Sequence, residues 1–158
     1  MNIDEILSAG PVIPVIVIER ASDAVSLARA LASGGVKVLE ITLRTPAALD
    51  AIRAIRAEVD GVVVGAGTIL NARDLDRALA AGAEFGVSPG ITPSLLSEVR
   101  QSGLAFLPGV ATLSVMAVSV SQDLSGSRMA SRFRWSHRSR NSSRSAATWM
   151  RVGTCTTM

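Results

Sequence analysis

Between residues 11 and 108, short and nearly continuous apolar runs alternate with amphipathic segments of helical length. The runs are "PVIPVIVIE" (11–19), "KVLEITLR" (37–44), "VVVGAG" (62–67), "FGVSPG" (85–90) and "LAFLPGV" (104–110). Strands that are apolar nearly throughout, each followed by a crossover helix, predict a parallel sheet covered on its outside. Thr45–Pro46 suits the N-cap and first turn of the second helix, and Thr92–Pro93 those of the fourth. Gly34, Gly82 and Gly103 stand where helices should stop. Pro14 fits poorly in a central strand, because it cannot donate to the ladder.

A doubly wound sheet and a (β/α)8 barrel both satisfy this alternation. Polar positions favour the barrel. In the second run Glu40, Thr42 and Arg44 share one face by strand alternation, and Leu39, Ile41 and Leu43 share the other. A barrel interior with a solvated mouth accommodates such a polar row, whereas an open sheet packs helices on both faces. Five βα units are readable, short of the eight a barrel needs.

Charge divides the chain. Residues 1–112 carry nine basic side chains against twelve acidic ones, while residues 113–158 carry seven arginines against Asp123 alone. The second part also holds both tryptophans, His137, Cys155 and the Ser/Arg-rich run "SRMASRFRWSHRSRNSSRS". One cysteine excludes a disulfide framework and a cysteine-based metal cluster, and fits a reducing compartment. No apolar run approaches the ~20 residues of a membrane span, and "MNIDEILSAG" has acids where a signal peptide has bases. A soluble, cytoplasmic protein is expected.

The stretches "GPVIPVIVIE", "ALASGGVKVLEITLRTPAALDAIRAI", "VVVGAGTILN", "AGAEFGVSPGITPSLL" and "LPGVAT" resemble, in order and spacing, the 2-keto-3-deoxy-6-phosphogluconate (KDPG) and 4-hydroxy-2-oxoglutarate aldolase family. The resemblance covers about residues 1–117. It implies a class I aldolase on a (β/α)8 TIM barrel, usually a homotrimer, that uses neither metal nor cofactor. Its substrate would be a small 2-keto acid, cleaved to pyruvate and an aldehyde through a Schiff base on lysine. By resemblance Glu40 is the acid–base group and Arg44 holds the substrate carboxylate, a task suited to a guanidinium fork. Thr68, in "GAGT", and Pro89, in "SPG", match positions lining the pyruvate pocket. A carboxylate walled by apolar neighbours would also have its pKa raised toward a working value.

Plainer readings stand beside these. Glu40 could be a structural partner of Arg44, the glycines of "GAGT" could serve only a tight turn, Thr68 could be a helix cap, and Pro89–Gly90 could be a turn before the helix capped at Thr92.

The resemblance stops at the lysine. The family's Schiff-base lysine lies on the sixth strand, in a stretch like Lys-Phe-Phe-Pro, and no such stretch occurs here. The single lysine, Lys37, opens the second strand with the parity of Leu39 and Ile41. It is expected on the face opposite Glu40 and at the end of the strand away from a barrel mouth. Past "GVAT" the pattern decays, so the expected organisation is an N-terminal barrel portion over 1–117 and an irregular Ser/Arg-rich tail over 118–158. Two explanations compete for that tail. One is a basic nucleic-acid-binding or subunit-binding segment, in which Phe133 and Trp135 stack on bases. The other is a frame-shifted or disordered segment of a truncated gene, which the abrupt loss of pattern inside a repeating unit favours. An inactive chain bearing an aldolase signature is the resulting expectation.

Overall fold

The computed structural model describes residues 1–110, so the expectations for the tail lie outside the described residues. Five parallel strands, β1 (Val15–Ile16), β2 (Val38–Thr42), β3 (Val63–Gly67), β4 (Phe85–Ser88) and β5 (Ala105–Pro108), form one sheet in the order β1-β2-β3-β4-β5. Helices α2 (Ala24–Ser33), α3 (Ala48–Glu58), α4 (Ala72–Ala80) and α5 (Pro93–Ser102) make the crossovers. Each new strand joins on the same side of its predecessor. A doubly wound sheet reverses direction at a switch point, and none occurs here. With right-handed crossovers, sequential order puts all four helices on one face, as in a barrel wall.

The residues divide accordingly. Leu39 and Ile41 of β2, Val64 and Ala66 of β3 and Phe106 of β5 pack with Ala24 and Ala28 of α2, Ile52 and Ile55 of α3, Leu75 of α4 and Val99 of α5. The opposite face gathers Val38 and Phe85 with Val63, Val87, Ala105 and Leu107. Small residues line α2 and α3 at their contacts, which lets the helices lie close to the strands.

Three local expectations are corrected. The apolar run 11–19 contains only a two-residue strand, because Pro14 sits just before it. There Pro14 needs no N–H; its carbonyl accepts the Glu40 N–H at 3.0 Å, which resolves its awkward place in the sequence. Thr45 does not cap the second of these helices. Helix α3 starts at Ala48 with no side-chain cap, and the Thr45 hydroxyl donates to the Ile18 carbonyl at 2.5 Å, pinning the β2–α3 turn to the segment that follows β1. The third correction is an added element, α1 (Ile3–Ser8). Its capping box pairs the Asn2 side chain with the Glu5 N–H and the Glu5 carboxylate with the Asn2 N–H. Ile3 and Ile6 of this helix pack on the inner face with Val38 and Phe85. The cap at Thr92 holds as expected, accepting from the Leu95 N–H, and Gly103 ends α5 in the left-handed conformation.

Candidate functional site

Parallel strands put all their C-terminal ends on one rim, and four of the sequence-predicted residues lie there. Glu40 is in β2, Arg44 two residues beyond its end, Thr68 directly after β3 and Pro89 directly after β4. Lys37 precedes β2 at the other rim and is exposed.

Glu40 belongs to the inner face and is only 8% exposed. Burial pushes its carboxyl above the ordinary value of 4.5, and the positive charge of Arg44 pulls in the opposite direction without cancelling the effect. Arg44 itself is exposed, and among the described residues it forms no ion pair within 4.0 Å. The plain structural pairing of Glu40 with Arg44 is therefore not what the described residues show. The guanidinium acts on the carboxylate through space and keeps its donors available.

The carboxylate lies over β3. In the parallel register Glu40 faces Gly65, and Thr42 faces Gly67. The Phe85 ring fills the space that a Gly65 side chain would take, and the Glu40 side chain fills the space above Gly67. Both glycines lie inside β3 and neither has a positive φ, so they provide room for close neighbours rather than a tight turn. This is the site feature that sequence reading missed. The signal was present as glycines at alternate positions, two apart, on the face that carries Glu40.

Thr68 follows with φ +64°, alone among the described non-glycine residues in having a positive φ. A β-branched residue in that region is strained, at a cost of about 1–3 kcal/mol. Thr68 is not a helix cap: Asn71 caps α4, accepting the Asp74 N–H at 3.0 Å. The neighbouring Ile69 N–H donates to the Val87 carbonyl at 3.1 Å, which fastens the strained turn to the end of β4. Pro89 is exposed at that same end, and the Gly109 N–H donates to the Ser88 carbonyl at 2.8 Å. Thr68 and Pro89 are thus carried by adjacent, cross-linked strand ends. Replacing Thr68 by glycine should relieve the backbone, and after the added unfolded-state entropy a net gain of about 1 kcal/mol is expected in urea denaturation. A loss of stability would show that the threonine side chain contributes more than its backbone angle costs.

The described residues contain no cluster of His, Cys, Asp and Glu arranged to hold a metal ion, and no described helix is long and apolar enough to cross a membrane. The site is a buried acid, a guanidinium without an ion pair among the described residues and a threonine on a strained backbone at a rim, a set fitted to a small anionic ligand that exchanges protons.

The chain is similar to several known proteins. The family model for KDPG and KHG aldolase matches residues 3–129. The KHG/KDPG aldolase of Escherichia coli K12 is 46% identical over 121 residues, covering 77% of this chain and 57% of that protein. The 2-dehydro-3-deoxy-phosphogluconate aldolase of Zymomonas mobilis is 54% identical over 110 residues, covering 70% of this chain and 52% of that protein. The chain thus spans a little over half the length of these curated relatives. Among solved structures, a 2-keto-3-deoxy-6-phosphogluconate aldolase of Z. mobilis superposes with a TM-score of 0.72 at 51% identity, covering 78% of this chain and 59% of that one. A KDPG aldolase of Legionella pneumophila, with pyruvate captured at low pH as a covalent carbinolamine, superposes with a TM-score of 0.71 at 41% identity, covering 73% of this chain and 56% of that one.

Proposed function

Because the chain belongs to the KDPG and KHG aldolase family, we propose that residues 1–110 supply the acid–base and carboxylate-binding half of a 2-keto acid aldolase site, while this chain by itself performs no cleavage. The reaction is the scission of 2-keto-3-deoxy-6-phosphogluconate or 4-hydroxy-2-oxoglutarate into pyruvate and an aldehyde. The observation that carries the proposal is the Glu40 carboxyl, buried, raised in pKa and laid toward the rim where Arg44, Thr68 and Pro89 gather.

Each residue has a task in this reading. A carboxyl whose pKa is raised by burial holds a proton more readily than an ordinary carboxylate and can return it, as carbinolamine formation and protonation of the pyruvate methyl require. Arg44 offers a fork of donors to the substrate carboxylate. Thr68 and Pro89 border the pyruvate. The carbinolamine held by the L. pneumophila relative supports imine chemistry for the family site. An imine needs a neutral amine at the ketone, and the sequence offers one lysine, Lys37, on the opposite rim and outward parity. Homotrimeric assembly, which the resemblance implies, and the cytoplasmic location expected from the sequence go with this proposal for the whole enzyme.

Borohydride reduction in the presence of pyruvate tests it, since reduction fixes any imine to its amine. No adduct on Lys37 and no measurable cleavage are expected, while calorimetry should detect weak pyruvate binding that Arg44→Ala removes. An adduct at low pyruvate, with turnover abolished by Lys37→Arg, would refute the inactive reading. Equal pyruvate binding by the wild type and Arg44→Ala would refute the assignment of Arg44.

A further inference from the structure

We infer that Gly67 is a positioning residue for Glu40: the missing side chain at this strand position creates the space through which the carboxylate reaches the rim. The inference rests on the reading of Glu40 as the acid–base group and concerns what sets that group's place and protonation.

The argument begins with the register. Glu40 faces Gly65 across the β2–β3 pair, yet its carboxylate lies above Gly67, two residues nearer the C-terminal rim. The position beside Gly65 is closed to it by the Phe85 ring, which lies over that glycine. Two adjacent inward glycines on β3 therefore hold two different neighbours, an aromatic ring deep in the inner face and a carboxylate closer to the mouth. A Cβ at position 67 would stand 2.8 Å from the Glu40 Cδ and 2.9 Å from its Cγ, and closer still to Oε1. Those are overlaps rather than contacts. Gly67 has no positive φ, so alanine fits the backbone there, and the three nearest atoms it would meet all belong to Glu40.

The outcome of such a conflict follows from what surrounds the acid. Phe85 blocks the deep side, leaving the carboxylate to swing out past the rim, where water solvates it. Its raised pKa comes chiefly from burial, so displacement should return it toward the ordinary value of 4.5. A side chain at position 67 would thus cost the site both the place of its acid and the proton affinity that suits it to its work.

The test is the titration of the Glu40 carboxyl, followed by carbon NMR of glutamate-labelled chain and assigned by its disappearance in Glu40→Gln. In Gly67→Ala the midpoint should move down toward that ordinary value; an unmoved midpoint in a folded variant would overturn the inference. Should Gly67→Ala fold poorly, the double variant Gly67→Ala/Glu40→Ala decides, because truncating Glu40 removes the overlapped atoms. Recovery of stability in the double variant supports the inference, and a double variant no more stable than Gly67→Ala overturns it. The titration uses no substrate. Loss of pyruvate binding in the wild type would therefore refute the proposed function and leave this result standing, whereas an unmoved midpoint with pyruvate binding intact would refute the positioning role alone.

Discussion

Replacing Phe85 by alanine should cost about 3–5 kcal/mol of stability, enough to leave most of the chain unfolded if its total lies at the low end of the usual 5–15 kcal/mol. Phe85 is fully buried and stands at the centre of the inner face, with Ile3 and Ile6 of α1 and Val38 of β2. Its ring also covers Gly65, so truncation opens a void over a residue with no side chain to fill it. The cost of such a substitution combines lost transfer free energy with the cavity left behind, and a glycine wall cannot collapse into that cavity. Leu79→Ala, on the partly exposed side of α4, serves as the comparison and should change stability by no more than about 0.5 kcal/mol. Urea denaturation followed by far-UV circular dichroism measures both. A Phe85→Ala midpoint equal to that of Leu79→Ala would show that the inner face is not a packed core.

The five strands were legible because a parallel sheet covered by helices demands apolar residues on both faces, which leaves continuous runs in the sequence. The inward course of Glu40 was legible for the related reason that a polar residue interrupts such a run only where it has somewhere to go. Counting along the chain sufficed to place Lys37 before β2, at the rim opposite the C-terminal strand ends, because chain direction defines the two rims of a parallel sheet. Other features depend on partners distant in sequence. Thr45–Pro46 has the chemistry of a helix start, but the Ile18 carbonyl claims the hydroxyl, and the helix begins three residues later. A local signal lost to a tertiary hydrogen bond there. For α1 the reverse holds: the Asn2…Glu5 capping box is visible in the sequence, but six residues are too few for an amphipathic period to mark the helix.

The candidate site divides in the same way. Residue types and their strand ends could be read directly, because the C-terminal rim of a parallel sheet is defined by chain direction. Two properties could not. The left-handed backbone of Thr68 opposes the preference of its residue type, so no propensity signals it. The purpose of Gly67 depends on the path of a side chain on the neighbouring strand, and it becomes visible only once Glu40 is seen lying across it.

Glu40→Gln should be more stable than the wild type at neutral pH, by a margin that grows as pH rises through the acid range. The sign follows from proton linkage. Burial raises the carboxyl's pKa in the folded chain above its ordinary value of 4.5, so the folded state holds this proton more tightly than the unfolded state does. Below 4.5 both states are protonated and the group's contribution is fully present. As pH rises from 4.5 through the raised pKa, the unfolded chain releases the proton first and stability falls. Above the raised pKa the loss is complete, and the fold carries a desolvated carboxylate partly offset by the Arg44 charge. Glutamine has nearly the same shape and no proton to lose, so its stability lacks this component. All other carboxyls titrate in both proteins, and subtracting the two stability–pH curves isolates Glu40. Arg44→Ala should steepen the decline in the wild-type background, because it removes the one charge that lowers the Glu40 pKa. Denaturant midpoints collected from about pH 4 to pH 8 supply the comparison. Parallel curves for the wild type and Glu40→Gln would mean that the folded chain does not burden its carboxylate, and with that the buried acid at the rim would lose its claim to proton transfer.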